Sequence, residues 1–242
     1  MIIRQLFDEE SYTYTYLVAD KASRQAALID PVIGHVERYL QLIKELGLKL
    51  ALALDTHVHA DHITALGTLR EQTGCTTYLG NATDDNSSTV SCADHAFKDQ
   101  QIISLGQIVI KVIYTPGHTD NSYSFLVQHP DQDYLFTGDT LLIRGTGRTD
   151  FQNGDATQLY HSLHDKLLQL DGATVVYPGH DYKGWTLSTI AEEKAHNPRL
   201  QIKDINAFVE HMGNLNLPNP KFMDVAVPAN LSCGKPQLDN NK

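Results

Sequence analysis

The chain has 242 residues, of which 41% are hydrophobic and 20% are charged, a composition typical of folded globular proteins. Its 19 Lys and Arg residues against 29 Asp and Glu residues give a formal net charge of -10, which argues against nucleic acid as a partner because phosphate binding needs concentrated positive charge. No apolar run is long enough to cross a bilayer, and positions 8–10 are acidic where a signal peptide would be apolar, so we expect a cytoplasmic protein without a membrane partner.

The N-terminal half predicts a strand meander followed by alternating helices and strands. In the second strand Tyr12, Tyr14 and Tyr16 alternate with other residues, a period of two that is typical of a strand with one packed face. From Val36 onward apolar residues recur at helical spacing until Gly47, which predicts an amphipathic helix. The predicted elements are strands at Ile2–Phe7, Tyr12–Ala19 and Gln25–Ile29, a helix at Val36–Leu46, a strand at Leu48–Leu54 and a helix at Ile63–Glu71.

The C-terminal half begins with a polar stretch, Asn81–Lys98, which lacks a clear period and predicts a surface loop. More strands and helices follow it. The predicted elements are strands at Gln101–Leu105, Ile108–Tyr114, Tyr123–Gln128, Tyr134–Thr137 and Thr174–Tyr177, and helices at Ala156–Leu170, Leu187–His196 and Ile202–Met212.

The three cysteines lie far apart in the sequence, at Cys75, Cys92 and Cys233, and no two of them form a C-x-x-C pair. An odd number of widely spaced cysteines suits a reducing compartment better than a disulfide framework. We therefore expect free thiols at these positions, packed as small buried side chains.

One loop collects three imidazoles and one carboxylate within six positions, just after a predicted strand. His57 and His59 are two residues apart and lean to the same side of an extended segment, and Asp61 and His62 follow at the predicted start of a helix. Each neutral imidazole offers a lone pair to a transition metal, and the carboxylate can bind the metal or orient a ligating imidazole. This density predicts a metal site rather than a polar loop that contains histidines by chance.

Three further potential ligands follow short apolar runs later in the chain, and a glycine precedes each of them. They are His118, Asp139 and His180. Glycine lets the backbone turn sharply and approach a bound group closely, and strands that end at one sheet edge bring their loops to one place. Any one of these residues alone would more often be a turn or capping residue. Together with the first loop they predict one shared metal site.

The ordered series H-x-H-x-D-H, G-H, G-D and G-H resembles the signature of the metallo-β-lactamase superfamily, with no member missing. This resemblance implies an α/β fold, the αβ/βα four-layer sandwich, in which two mixed β-sheets face each other and helices flank them. The metal would lie at the sheet edge. Residues 1–213 would form the catalytic domain, and residues 214–242 would form an extended, Pro-rich tail that packs on the same domain.

Four further segments resemble the persulfide dioxygenase (sulfur dioxygenase) family, and the resemblance covers essentially the whole chain. They are Leu142–Asp155, His180–Trp185, Asn197–Leu200 and Asn214–Asn230. The resemblance implies an enzyme of sulfide detoxification that oxidises glutathione persulfide with O2 and water to sulfite and glutathione. Its cofactor would be one Fe(II) per chain held by His57, His118 and Asp139, two imidazoles and a carboxylate that leave the opposite positions open.

A second group of polar residues would surround the iron ligands without binding the metal. These residues are His59, Asp61, His62 and His180. Their hydrogen bonds would orient the ligating side chains and tune the basicity of the site. Within this group Asp61 and His180 are expected to take part in catalysis, together with Tyr182.

Three residues outside the main ligand set are expected to contact the substrate, namely Arg148, Tyr182 and Lys183. Arg148 can pair with a carboxylate of glutathione through its planar fork of donors. The alternative for Arg148 is an internal ion pair with Asp150 or Asp181. Tyr182 would donate a hydrogen bond to bound sulfur or oxygen.

A glyoxalase II-type hydroxyacylglutathione hydrolase with a dinuclear metal site is the alternative function. In such an enzyme the second group of residues also binds metal, and nitrogen and oxygen ligands do not by themselves separate iron from zinc or manganese. That hydrolase would need a basic patch for glutathione, which the short C-terminal tail does not supply. The expected partners are glutathione persulfide and O2, and the candidate assembly is a homodimer.

Overall fold

Two six-stranded mixed sheets face each other in this computed structural model, which describes residues 1–80, 92–218 and 222–235. The strands of the first sheet, in spatial order, are β1 Ile2–Phe7, β2 Tyr14–Ala19, β3 Gln25–Ile29, β4 Lys49–Leu54, β5 Thr76–Leu79 and β6 His95–Ala96. Those of the second sheet are β14 Ser188–Thr189, β13 Val175–Tyr177, β10 Tyr134–Phe136, β9 Tyr123–Gln128, β8 Ile108–Tyr114 and β7 Ile102–Leu105. A separate hairpin consists of β11 Leu141–Leu142 and β12 Gly145–Thr146.

Helices cover the outer face of each sheet. Helices α1 Val36–Glu45 and α2 Leu66–Thr73 pack on the first sheet, and α6 Met223–Asn230 adds Val227 to the same apolar cluster. Helices α3 Ala156–His161, α4 Ile190–His196 and α5 Ile205–Gly213 pack on the second sheet. The order helix, sheet, sheet, helix confirms the predicted four-layer α/β fold.

Strand β2 shows why four layers form. All six of its residues are buried, but alternate side chains enter different apolar clusters. Tyr16 and Val18 pack between the two sheets, whereas Leu17 and Ala19 pack on the opposite face with residues of α1 and α2. Because successive side chains of a strand point to opposite faces, a strand that lies between two layers must be apolar on both.

Two predicted helices begin later than expected, and a threonine hydroxyl accepts a backbone hydrogen bond at the start of each. The helix predicted from Ile63 begins as α2, at Leu66, whose backbone N–H donates to the hydroxyl of Thr64 at 3.2 Å. The helix predicted from Leu187 begins as α4, after the short strand β14. There the hydroxyl of Thr189 accepts a hydrogen bond from the backbone N–H of Glu192.

The helix predicted at Ala156–Leu170 begins where expected but is regular only over its first part. Asp155 caps α3 by accepting a hydrogen bond from the backbone N–H of Gln158. The chain then continues as a π-helical turn at Ser162–Lys166 and a 3-10 turn at Leu167–Gln169.

The sequence does not predict strands β5 and β6. Strand β6 lies within the polar segment Asn81–Lys98, so the predicted loop is wrong at His95–Ala96, where the chain pairs in parallel with β5. Residues 81–91 of that segment lie outside the described residues. Tyr12 also departs from the predicted strand. Its φ of 63° places it before β2, and its side chain is exposed, unlike Tyr14 and Tyr16.

Two expectations about the C-terminal segment are wrong. The tail is helical at α6 instead of extended, even though Pro228 lies inside that helix. Cys233, which follows α6, forms a disulfide with Cys92, so only Cys75 is a free thiol, and it is buried.

The loops that follow β4, β8, β10 and β13 gather at one edge of the sandwich. The parallel pairing of β10 with β13 places their following loops side by side. Two backbone hydrogen bonds join the sheets here, from Tyr14 N–H to the carbonyl of Gly179 at 2.8 Å and from Tyr123 N–H to the carbonyl of Thr56 at 2.8 Å. In the part of the chain that the structure describes, no helix is both long and apolar enough to span a membrane.

Candidate metal centre

His57, His118 and Asp139 lie together at this edge. One ligand atom of each lies within 4.8 Å of the ligand atoms of the other two. The rings of His57 and His118 are 4.9 Å apart between centroids and almost perpendicular. His57 is buried, and the other two are partly exposed, so the group is reached from one side.

The hydrogen bonds of the two imidazoles leave one nitrogen of each free for a metal. Nδ1 of His118 lies 2.8 Å from the carbonyl oxygen of Arg148, which can only accept, so this nitrogen carries the proton. Nδ1 of His57 lies 3.0 Å from the hydroxyl of Thr56, which itself donates to Asp30 Oδ2 and so accepts from the imidazole. Both Nε2 atoms therefore present a lone pair, the arrangement expected of ligating histidines.

The charges of this group also suit a divalent cation. Burial lowers the pKa of His57 well below its ordinary value, which keeps the imidazole neutral. Burial acts to raise the pKa of Asp139, but the nearby imidazoles of His180, His118 and His57 hold it below its ordinary value. Two imidazole nitrogens and one ionised carboxylate are a donor set that fits a divalent transition metal.

His180 connects two carboxylates through its two ring nitrogens. Nδ1 lies 2.6 Å from Oδ1 of Asp139, and Nε2 lies 2.9 Å from Oδ2 of Asp61. Burial acts to lower the pKa of His180, but the two carboxylates raise it well above its ordinary value. With both nitrogens donating, this imidazole holds the two carboxylates in place and offers no lone pair.

A second group of potential ligands lies beside the first, formed by His59, Asp61 and His62, whose ligand atoms also lie within 4.8 Å of one another. Nδ1 of His62 contacts Oδ2 of Asp61 at 2.8 Å, and its buried Nε2 has no hydrogen-bond partner among the described residues. Nε2 of His59 contacts Asp30 at 3.0 Å, and its buried Nδ1 likewise makes no hydrogen bond within the described part of the chain. Burial opposes protonation of His59, but the carboxylate of Asp30 raises its pKa to about 9.

Two glycines are needed here because larger residues would collide with the candidate ligands. A Cβ atom on Gly147 would lie 2.8 Å from Nδ1 of His118, and a Cβ atom on Gly179 would lie 2.7 Å from Oδ1 of Asp139. Real Cβ atoms do not approach other atoms so closely. The backbone can therefore pack against both side chains only where it has no side chain of its own.

The three residues predicted to contact substrate lie in different environments. The ring of Tyr182 is parallel to that of His180, at 6.1 Å between centroids, and is 65% exposed. Lys183 is exposed, and the structure brings no described partner to its ammonium group. Arg148 binds both carboxylate oxygens of Asp150, at 2.6 and 2.7 Å, and donates to the carbonyl of Pro218 at 2.7 Å.

Sequence reasoning missed Thr13, although it touches three residues of the site. Its hydroxyl donates to Oδ2 of Asp61 at 2.8 Å and lies 3.0 Å from Nε2 of His180 and 3.2 Å from Nδ1 of His62. Thr13 comes from the start of the chain, just before β2, and no local pattern marks it. The carboxylate of Asp30 fixes the same loop through hydrogen bonds to Thr56 and His59 and does not join the first ligand group.

Comparisons with known proteins identify the family. The sequence pattern of the Metallo-beta-lactamase superfamily matches residues 9–180. The proteins named persulfide dioxygenase ETHE1, mitochondrial, from Mus musculus and Homo sapiens are each 47% identical over 235 residues, which is 97% of this chain and 89% of each relative. The crystal structure of ETHE1 from Myxococcus xanthus matches with a TM-score of 0.90 at 55% identity and covers 97% of this chain and 100% of that one. The chain therefore belongs to the persulfide dioxygenase family of the metallo-β-lactamase superfamily.

Proposed function

We propose that this chain oxidises glutathione persulfide with O2 and water to sulfite and glutathione, with one Fe(II) per chain held by His57, His118 and Asp139. The observation that carries the proposal is the pair of fixed tautomers, which leaves Nε2 of both histidines free beside an ionised carboxylate. Such a two-histidine, one-carboxylate set binds one side of the metal and leaves the other side open for two reactants.

Each residue of the site has a separate task in this proposal. His57 and His118 supply lone pairs, and Asp139 balances the charge of the cation. His180 holds Asp139 from one side and is itself held by Asp61, so the ligand keeps its orientation when substrate binds. Iron bound here would supply a redox centre for the reaction of a persulfide sulfur with dioxygen.

Tyr182, Lys183 and Arg148 are the proposed substrate contacts. Tyr182 stacks on His180 and exposes most of its ring, so its hydroxyl is accessible to a ligand at the mouth of the site. Lys183 follows it on the same loop and offers a positive charge for the carboxylates of glutathione. Arg148 keeps its ion pair with Asp150, and it can reach substrate only with its remaining donor.

The hydrogen bonds of His180 support one metal per chain in this proposal, because both of its nitrogens contact carboxylates. A second metal at His59, Asp61 and His62 would resemble the dinuclear hydrolases. None of the relatives named above favours the glyoxalase II-type alternative.

We also propose that residues 1–213 form the catalytic domain and that the C-terminal segment, with α6, packs on this domain. We place the enzyme in the cytoplasm, whereas the mouse and human relatives are named as mitochondrial. Fractionation of the source cells tests this placement directly.

Metal analysis combined with an oxygen-electrode assay tests the function. Protein purified without added metal should contain about one iron per chain, and glutathione persulfide should drive oxygen uptake with one sulfite formed per O2 consumed. Two metals per chain, together with thioester hydrolysis without oxygen uptake, would instead indicate the hydrolase.

A further inference from the structure

The side chain of Asn230, at the end of α6, makes three hydrogen bonds to the loop that carries the first metal motif. Its Nδ2 donates to the carbonyl oxygens of His59 and His62, both at 2.8 Å. Its Oδ1 accepts from the backbone N–H of Thr64 at 2.9 Å. The side chain is buried, with the residue only 1% exposed, so water does not compete for these bonds.

This loop depends on such bonds because it has no regular secondary structure between β4 and α2. A buried backbone carbonyl or N–H without a partner costs about 1–3 kcal/mol, so the loop is stable only where something supplies these partners. The amide of Asn230 matches three groups within one stretch of six residues. A carboxylate or hydroxyl cannot donate twice and accept once in this geometry.

The end of α6 is itself anchored to the first-sheet side of the molecule. Cys233, three residues after Asn230, is joined to Cys92 by the disulfide. Its carbonyl accepts a hydrogen bond from the backbone N–H of Gly67, in α2, at 3.0 Å. The backbone at Asn230 is therefore held in place, and the loop between β4 and α2 is hydrogen-bonded to a segment more than 160 residues away in the sequence.

We propose that Asn230 is a positioning residue for the metal centre, which holds the loop of His57, His59, Asp61 and His62 in its ligating conformation through the carbonyls of His59 and His62. Asn230 does not reach the metal. Its effect passes through the backbone to the imidazole of His57 and to Asp61, which supports His180. This inference rests on the proposed metal ligands, but metal retention tests it without any turnover.

The test compares metal release from three variants of the metal-loaded, full-length protein. Asn230→Asp keeps the size and the acceptor for Thr64 but loses both donors and faces two carbonyls with an oxygen. Asn230→Ser removes the amide without adding a charge, which lowers the risk of misfolding. Val227→Ala is the matched control, because it removes apolar packing from the same helix and leaves the three hydrogen bonds intact.

The measurement is the rate at which a colorimetric chelator removes the metal under anaerobic conditions, alongside the thermal midpoint of each variant. We expect Asn230→Asp to release metal about 10- to 100-fold faster than the parent, the range typical when supporting partners of metal ligands are lost. For Asn230→Ser we expect release about 10-fold faster than in the parent. Val227→Ala should lower the thermal midpoint but release metal at the parental rate. In turnover, kcat should fall with little change in KM for the Asn230 variants.

Parental release rates in both Asn230 variants would overturn the proposal. Equal acceleration in Val227→Ala at an equal loss of thermal midpoint would overturn it too, because Asn230 would then act only through global stability. A parent protein that holds zinc and consumes no oxygen would refute the dioxygenase function, but the release rates would still decide the role of Asn230.

Discussion

Nδ1 of His180 donates to Oδ1 of Asp139 at 2.6 Å, so the last residue of the metal series contacts a candidate ligand directly. The partner of Nε2 is Asp61, from the first motif, and Thr13 touches the same pair. These hydrogen bonds connect the segments that carry Thr13, Asp61 and His180 to the carboxylate of Asp139. In the proposed single-iron site, this arrangement would use the superfamily's whole set of polar residues while only three of them face the metal.

Removal of any one of the three proposed ligands should abolish iron binding. We expect His57→Ala, His118→Ala and Asp139→Ala each to bring the iron content and the oxygen uptake to background, because two donors cannot hold the ion in a shallow, partly exposed site. Iron content per chain, measured on folded protein, checks this. His161→Ala, which alters an exposed histidine that contacts Asp165, is the control. Stoichiometric iron in any ligand variant would show that the ligands are assigned incorrectly.

His180→Ala separates a supporting role from a ligating one. The variant leaves the carboxylates of Asp139 and Asp61 without their shared partner, and we expect iron affinity to fall about 10- to 100-fold while the protein still binds at most one metal. Metal titration followed by elemental analysis gives both numbers. A drop from two metals to one would identify His180 as a ligand of a second metal and would contradict the single-iron proposal.

The sequence predicted the bounds of several strands and placed candidate ligands in the loops that follow them. Strands β1, β3, β8 and β9 have the predicted bounds, and the loops after four strands meet because neighbouring strands share one edge. Helix α6 could not be predicted, because Pro228 interrupts the backbone hydrogen bonds of an interior turn and the helix is stabilised by distant contacts. Thr13 and Asn230 were missed for a related reason, since each meets the site only through the tertiary fold.

The close packing of Gly147 against His118 predicts that even a small substitution at Gly147 weakens metal binding. Gly147→Ala would place a methyl group 2.8 Å from Nδ1 of His118 and against the carbonyl of Asp139, so either the imidazole or the β12 loop must move. We expect at least about tenfold weaker metal binding. Gly145→Ala is the matched control from the same hairpin, because among the described residues its Cβ would meet only Cβ of Leu142, at 4.0 Å. Equal metal affinities in the two variants would refute the steric argument.

The disulfide between Cys92 and Cys233 predicts a redox-dependent stability. It closes a loop with a sequence separation of 141, and the loss of such a constraint from the unfolded chain typically costs about 2–4 kcal/mol. Thermal or denaturant unfolding with and without a strong reductant should show a lower midpoint in the reduced protein. Cys233→Ser should be less stable from the outset and should not respond further to reductant. A reductant effect of the same size in this variant would point to another cause.

Two variants distinguish the two roles expected for Arg148, a contact with substrate and an internal ion pair. If Arg148 binds a glutathione carboxylate, Arg148→Ala should raise the KM for glutathione persulfide while the protein stays folded. If the guanidinium only holds the Asp150 loop against the carbonyls of Leu217 and Pro218, the thermal midpoint should fall with KM unchanged. Asp150→Asn is the matched variant, because it removes the carboxylate and leaves the guanidinium. A raised KM in Arg148→Ala alone would assign Arg148 to the substrate, whereas equal losses of stability in both variants would assign it to the fold.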